Sequence, residues 1–339
     1  MYVKKKLLGK GAYGKVYLVL NEEDNNFYAL KSLEKDKNCL LAFDTEINLL
    51  KKLNHQNIIR LYDSFENNTR FNIVLEYAEK GTLGSLISQN IKNFRKFKNN
   101  EIQNIILSIS NGLNHLHKHN IIHRDIKPEN ILISKNNVYK ISDFGVSRLD
   151  NKTKLINTSI GTPYYMAPEL IKGKSYNKEV DCWALGCIFY ELFTLALPFV
   201  GHNMYVLSER ICRGYVSLHG IPLDYRTLIK NLLDISKHKR AKIDDVIIFY
   251  SNLEKEETYK KNRVKQIRSR RQKLNENNKL NYNQKEYVSP YRYNPKNRDN
   301  VSKYKVLPKI VDYRKKKPDF NDNEKSIDEY YKNRKPFFY

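Results

Sequence analysis

The sequence predicts an α+β fold in two parts: a strand-rich first lobe with one main helix, and a second, mostly helical lobe followed by a basic tail. Short apolar runs separated by Gly- and Asn-rich turns fill the first 80 residues, and helical periodicity dominates after them. Beyond residue 253 the sequence is dense in Lys, Arg, Asn and Tyr and cannot bury a core. A crevice between the two lobes is where we expect a ligand.

The elements follow in chain order. Strands are predicted at 3–8, 15–20, 27–33, 61–65 and 72–76, and helices at 42–53, 84–91, 101–119, 178–194, 204–213 and 225–235. The helix at 42–53 rests on the stripe formed by Ile47, Leu50 and Leu53. Two isoleucine-rich pieces, 121–122 and 131–133, predict short buried strands on either side of a polar segment.

The 339 residues carry a formal net charge of +24, which favours acidic partners such as nucleic acid, anionic lipid, acidic proteins or nucleoside phosphates. Charge alone does not choose among them. Cys39, Cys182, Cys187 and Cys212 form no Cys-x-x-Cys pair, so we expect reduced thiols in a reducing intracellular compartment.

Neither the N-terminus nor the longest apolar run predicts contact with a membrane. The start, MYVKKKLLGKG, has no apolar region of the kind that a signal peptide needs. The run 182–199 is interrupted by Glu191 and closed by Pro198, which favours a buried helix over a membrane span. We therefore expect a soluble protein.

Gly9, Gly11, Gly14 and Val16 form a G-x-G-x-x-G-x-V loop between two predicted strands. Glycines let backbone N–H groups approach a phosphate without a Cβ in the way. A purely structural hairpin stays open as the alternative for this motif taken alone. A dinucleotide-binding fold is disfavoured, because it needs a helix after the glycines and a strand follows here.

The third strand carries Ala29-Leu30-Lys31, and Glu46 lies on the inner face of the helix after it. A lysine that reaches the α- and β-phosphates and is oriented by a helical glutamate holds a nucleoside triphosphate productively. Taken singly, Lys31 is also compatible with a solvated strand residue.

The polar segment between the isoleucines reads His123-Arg-Asp-Ile-Lys-Pro-Glu-Asn130 and matches H-R-D-x-x-x-x-N. In this motif Asp125 accepts the proton of a substrate hydroxyl and Asn130 binds a metal ion. Lys127 is placed to neutralise a moving phosphoryl group. Asp143-Phe-Gly follows and supplies a second metal contact, and Ala167-Pro-Glu169 ends an activation segment.

With these motifs in this order, residues 4–253 resemble the eukaryotic protein kinases, and Lys127 is typical of the serine/threonine group. The resemblance implies a bilobal kinase domain over 1–253, with lobes at 1–78 and 79–253. The composition of 254–339 predicts a separate basic tail that is largely disordered or partly helical. The resemblance also implies ATP and Mg²⁺ as cofactors and transfer of the γ-phosphate to protein Ser/Thr hydroxyls.

The same resemblance assigns further roles. Leu75 is similar to the gatekeeper, and Glu76 to Ala78 to the hinge that hydrogen-bonds adenine. Asp181 resembles the aspartate that braces the catalytic loop, and Arg240 the arginine that pairs with Glu169.

The segments IGTPYYMAPE and EINLLKKLNHQNII most resemble the NIMA-related (Nek) kinases. Phe144, Ala167 and Pro198 depart from that pattern and keep Polo-like and STE-type kinases open. Thr158 lies where Nek-like segments are phosphorylated, with Ser159 beside it.

A phosphate on Thr158 would pair with Arg124 and Arg148 and order the activation segment, whereas an inert surface threonine is the alternative. Thr162 is expected to have a structural role near Asp125.

Basic clusters at 268–273 and 314–317 make the tail a candidate for contact with an acidic partner or a cytoskeletal surface, or a solvated tail without a partner. The tail does not sustain heptads, so a coiled coil is not predicted. Cytoplasmic location is expected, with nuclear or cytoskeletal association as variants. A pseudokinase scaffold is the competing function and is disfavoured because all catalytic residues are present. A nucleic-acid-binding protein rests on charge alone and is disfavoured too.

Overall fold

This computed structural model describes residues 1–10, 14–35, 37–144 and 163–282 of the chain. The first lobe is a five-stranded antiparallel sheet with the strand order β1-β2-β3-β5-β4. Its elements are β1 (Tyr2–Lys10), β2 (Gly14–Asn21), β3 (Phe27–Glu34), α1 (Lys37–Leu50), β4 (Leu61–Glu66) and β5 (Arg70–Glu76).

The sheet curls strongly, so that its two edge strands approach each other. Tyr2 of β1 stacks on Phe65 of β4 with 5.9 Å between the ring centroids. Val19, Leu30 and Val74 fill the concave side as a small buried cluster. The curl follows from the right-handed twist of the strands.

Helix α1 packs against the sheet through aromatic and aliphatic side chains. Phe43 stacks on Phe71 of β5 at 4.6 Å, and Ile47 and Leu50 are buried. The helix begins five residues before the predicted start and ends three residues before the predicted end. Residues 51–53 form a turn instead, although Leu53 is still buried as the stripe predicted.

The second lobe is helical around one small antiparallel pair of strands. Its elements are α2 (Leu83–Lys92), α3 (Asn99–Lys118), β6 (Ile131–Ile133), β7 (Tyr139–Ile141), α4 (Pro168–Ile171), α5 (Glu179–Thr194), α6 (Met204–Arg213), α7 (Leu223–Leu232) and α8 (Ile243–Tyr282). All predicted strands and helices of the two lobes are present, except that 121–122 is not a strand and runs as irregular chain before the catalytic loop. The predicted bilobal α+β fold is confirmed.

Helix α5 is buried on all sides at the centre of the second lobe, as the apolar run predicted. Trp183 is fully buried and stacks on Phe199 at 5.4 Å. Glu191, the charge that interrupts the run, accepts a 2.5 Å hydrogen bond from the Tyr165 hydroxyl. Within the described ranges, no helix is long and apolar enough to cross a membrane.

The described residues form two compact units, the first Met1–Ser251 and the second 252–282. Helix α8 starts in the first unit, where Ile243, Val246 and Tyr250 are buried. In the second unit the described side chains between 254 and 272 are exposed. The sequence analysis did not predict the start of α8 at 243.

Candidate active site

A lysine on β3 joins two carboxylates from different parts of the chain. Lys31 Nζ lies 2.9 and 3.0 Å from the carboxylate oxygens of Glu46 on α1, and 3.1 Å from Asp143 Oδ1 after β7. Its strand neighbour across the β2–β3 pair is Val16. The structure thus brings together the predicted lysine, its helical glutamate and the predicted metal-binding aspartate.

The charges of this group stabilise one another. Burial disfavours the charged form of Lys31, but the carboxylates of Asp143 and Glu46 outweigh burial and raise the pKa of the lysine above its ordinary value. The Lys31 ammonium lowers the pKa of Asp143, against the opposing effect of burial. Both groups are therefore charged at neutral pH.

The catalytic loop holds a second carboxylate, Asp125. Lys127 Nζ donates to Asp125 Oδ2 at 2.6 Å, and Asn130 Nδ2 donates to the same oxygen at 2.9 Å and to the Asp125 carbonyl at 2.8 Å. Burial disfavours the Lys127 ammonium, but Asp125 outweighs it and raises the pKa of this lysine. The motif spacing works because Pro128–Asn130 is a 3-10 turn, which folds Asn130 back onto Asp125.

A buried aspartate on α5 accepts hydrogen bonds from the backbone of the catalytic loop. Asp181 Oδ2 accepts from the backbone N–H of His123 at 3.0 Å, and Oδ1 accepts from the backbone N–H of Arg124 at 2.9 Å. His117 on α3 adds a third contact, Nε2 to Oδ2 at 2.8 Å. These bonds fix the loop where Arg124 takes the left-handed value φ 70°.

Two contacts link the catalytic loop to the strand that precedes Asp143. His123 Nε2 lies 3.0 Å from the Ser142 carbonyl oxygen, and Ser142 N–H donates to the Asn130 carbonyl at 2.9 Å. Asp143 itself has φ 63°. The loop and the aspartate therefore form one hydrogen-bonded unit, which positions Asn130 beside the Asp143 backbone.

Sequence reasoning missed His117 and Ser142. His117 lies on the buried face of α3, where a single histidine without a partner motif gives no signal. Ser142 precedes the Asp-Phe-Gly motif but reads as an ordinary strand residue. Only the contacts made in the folded chain identify them.

The predicted adenine-binding residues line the inner surface where β2, β3 and β5 meet. Val16, Ala29, Leu75 and Ala78 are buried, and Ala29 is the cross-strand partner of Leu75. Glu76 N–H donates to the Arg60 carbonyl at 2.9 Å. The wall is apolar, as a nucleobase requires.

The glycine-rich loop is described only at its two ends. Gly9 pairs with Val16 across the hairpin, and Gly11 lies outside the described residues. A Cβ on Gly14 would lie 2.3 Å from the Ser32 carbonyl oxygen, so no other residue fits there. This glycine therefore lets β2 approach β3 closely at the mouth of the cleft.

The predicted structural pair Arg240–Glu169 lies deep in the second lobe. Arg240 donates from Nη1 at 2.6 Å and from Nη2 at 2.9 Å to the two carboxylate oxygens of Glu169. It also donates to the carbonyls of Glu179 and Asp234, and its guanidinium lies 5.1 Å from the Trp183 ring centre. The pair anchors the segment that follows the activation loop.

Of the predicted regulatory residues, Arg124 is described and its guanidinium lies 5.0 Å from the ring centre of Tyr176. Arg148, Thr158, Ser159 and the structural candidate Thr162 lie outside the described residues.

The donor set fits a magnesium nucleotide. Mg²⁺ prefers oxygen ligands and is commonly held by one or two protein side chains together with substrate phosphates. Asp143 supplies an ionised carboxylate and Asn130 an amide oxygen, while Lys31 supplies a cation for phosphate oxygens. Within the described ranges no group of three His, Cys, Asp or Glu residues could hold a metal ion by itself.

Comparison with known proteins gives the family. Residues 2–249 match the family described as protein kinase domain. The chain belongs to this protein kinase family. Human serine/threonine-protein kinase Nek5 is 38% identical over 249 residues, which is 71% of this chain and 35% of the relative.

Two further relatives widen the comparison. Human NUAK family SNF1-like kinase 1 is 36% identical over 250 residues, 72% of this chain and 37% of the relative. Serine/threonine-protein kinase nekl-2 of Caenorhabditis elegans is 35% identical over 262 residues, 73% of this chain and 72% of the relative. The chain thus spans little more than a third of the Nek5 and NUAK relatives. The chain resembles the Nek group. Its similarity to the NUAK kinases was not predicted in the sequence analysis.

Proposed function

We propose that this chain is a serine/threonine protein kinase that transfers the γ-phosphate of ATP, with Mg²⁺, to protein hydroxyls. The observation that carries the proposal is the position of Lys31, which contacts Glu46 and Asp143 at once. That arrangement is the one required for phosphoryl transfer in kinases. It also argues against a pseudokinase scaffold, because a protein that only binds partners does not need a lysine that contacts both carboxylates.

Asp125 and Lys127 perform the chemical step in this proposal. Asp125 accepts the proton of the substrate hydroxyl while that oxygen bonds to the γ-phosphorus and the bond to the ADP oxygen breaks. Lys127 shifts from Asp125 to the transferring oxygens and stabilises their negative charge. Asn130 orients Asp125 through its amide N–H groups.

The remaining site residues hold the nucleotide. Lys31 orients the phosphates, and Asn130 and Asp143 hold the metal ion, which when bound neutralises charge on the β- and γ-phosphates. The proposed adenine site consists of Val16, Ala29, Leu75, Glu76 and Ala78. Gly9, Gly11 and Gly14 form the phosphate loop above it.

The kinase domain is assigned to residues 1–253, with lobes 1–78 and 79–253. The tail, 254–339, is proposed to contact acidic protein surfaces in the cytoplasm. Exposed basic side chains along α8, Lys260, Lys261, Lys265 and Arg268 among them, support that assignment.

We also propose Nek-like activation by a phosphate on Thr158 or Ser159. Arg124 supports this, because its backbone N–H donates to Asp181 and its guanidinium lies 5.0 Å from the ring centre of Tyr176. A phosphate would form charge-assisted hydrogen bonds with Arg124 and Arg148. The proposed structural residues of the activation segment are Glu169, Arg240 and Thr162.

The test is transfer of labelled γ-phosphate from Mg-ATP to a mixed Ser/Thr peptide pool and to the chain itself. The full chain is compared with Asp125→Asn and Asp143→Asn, and with Lys51→Ala as a control at an exposed residue. We expect both site variants to lose at least about 1000-fold in rate while the control keeps it. The label should map to Thr158 or Ser159.

Activity that survives in both site variants would refute the assignment of the site. A wild-type chain without transfer to any Ser/Thr peptide, even after phosphorylation by an added kinase, would refute the proposed function.

A further inference from the structure

A lysine-rich loop follows the short helix α4. This lysine loop, residues 172–178, carries Lys172, Lys174 and Lys178, and Lys237 joins it from the segment between α7 and α8. Lys237 Nζ donates to the Ser175 carbonyl at 2.9 Å, and Lys178 Nζ donates to Asn120 Oδ1 at 3.3 Å. Lys172 and Lys174 are exposed. The result is a concentrated positive surface.

No acidic side chain in the described part of the chain forms an ion pair with these four lysines. The carboxylate of Glu169 is engaged by Arg240, and Asp181 accepts hydrogen bonds from the catalytic loop and His117. Among the described contacts Glu179 forms no ion pair with these lysines, and its Oε2 is buried. The positive charge of the loop is therefore open to an anion from outside.

The lysine loop lies directly against the catalytic loop. Tyr176, at its centre, packs its ring 5.0 Å from the guanidinium of Arg124, the residue before Asp125. Lys178 is tied to Asn120, shortly before the catalytic loop. A chain that presents a hydroxyl to Asp125 therefore passes near these lysines.

We propose that the lysine loop binds carboxylates of the protein substrate, so that this kinase prefers acceptors flanked by Asp or Glu. The inference rests on the proposed kinase function. Arg124 and the lysines supply the attraction, and salt weakens it.

The test measures kcat and KM of the full chain with three peptides that differ only at the flanking positions: glutamate, glutamine and phosphoserine. The variant is Lys172→Glu/Lys174→Glu. The matched control is Lys51→Glu/Lys52→Glu, an equal charge change at two exposed residues after α1. We expect the wild type to favour the glutamate over the glutamine peptide at least tenfold in kcat/KM, through KM.

In Lys172→Glu/Lys174→Glu this preference should disappear, with the glutamine peptide changed less than twofold and the control retaining the preference. Raising NaCl to 0.5 M should reduce the wild-type preference. Equal use of glutamate and glutamine by the wild type overturns the inference. A preference confined to phosphoserine overturns the assignment to carboxylates.

An equal fall in kcat for all peptides would also overturn the inference. It would indicate that the lysines act on the chain's own activation segment and not on the substrate. Absence of transfer to every peptide, the glutamine one included, would instead remove the proposed kinase function and the inference with it.

Discussion

Two ion-paired groups in this protein use the same chemistry in opposite surroundings. Lys31, between the lobes, has 20% of its side chain exposed, and its partner Asp143 has 41% exposed. Arg240, deep in the second lobe, is fully buried beside Glu169, which is 7% exposed. In the proposed function the first group exchanges its partners for phosphate and metal, whereas the second is closed to water.

The difference separates a group kept for chemistry from one kept for structure. The buried guanidinium of Arg240 also donates to the carbonyls of Glu179 and Asp234, so its removal would leave several acceptors without a donor. In the cleft, water reaches Asp143 and Lys31 and screens their attraction. The comparison predicts that the buried pair controls stability and the cleft group controls rate.

The largest effect is expected from Arg240→Met. It leaves the Glu169 carboxylate buried without its cation, so the free energy of unfolding should fall by about 3–5 kcal/mol. Urea denaturation followed by circular dichroism measures this loss. The double variant Arg240→Met/Glu169→Met should recover part of it, because no unpaired charge remains. A single variant as stable as the wild type would contradict the comparison.

The next effect is expected from Lys31→Met. Loss of the cation that orients the phosphates should lower kcat/KM about 100- to 1000-fold. Stability should fall by less than in Arg240→Met, because water reaches and screens Asp143, one of the two carboxylates, although Glu46 is buried. Peptide phosphorylation and urea denaturation on the same preparation give both numbers. A stability loss equal to that of Arg240→Met would erase the distinction between the two groups.

The smallest effect is the pH dependence of stability that comes from two histidines, His55 and His115, which lie close to each other and to other basic side chains. His55, in the loop before β4, stacks on His115 of α3 at 4.9 Å, and His119 lies 4.5 Å from His115. Burial, followed by the neighbouring His115 and Lys140, lowers the pKa of His55. Burial, followed by His119 and Lys118, lowers the pKa of His115.

Because the folded pKa of these bases lies below the unfolded value, the unfolded chain binds more protons as the pH falls. Stability is therefore full above about pH 6.5 and declines below it, by less than about 1 kcal/mol per histidine. His115→Gln should flatten the decline between pH 7.5 and 5.5 in urea denaturation. The exposed His219→Gln serves as the control and should leave the slope unchanged.

Local periodicity was enough to predict the element types, because strand and helix patterns depend on neighbouring residues in the sequence. The ends of α1 were shifted because its start is polar and its stripe continues into a buried turn at Leu53. The piece 121–122 reads as a strand but has no pairing partner, since β6 pairs with β7 instead. A pairing partner is a property of the whole fold.

The residues of each motif are close together in the sequence, so they could be named as candidates from their types and spacing. The contacts of His117 and Ser142 could not, since each joins residues far apart in the chain. The open charge of the lysine loop likewise depends on the folded chain, in which Arg240 engages the Glu169 carboxylate.

The sequence by itself determined the order of the elements and the residues of the catalytic loop. It also predicted that the separate motifs serve one reaction. Only the tertiary structure decided that Lys31 touches both Glu46 and Asp143, and that Arg240 is closed off from water. The physical reason is range: spacing along the chain fixes local geometry, whereas burial and long-range contact set the energy of a charge.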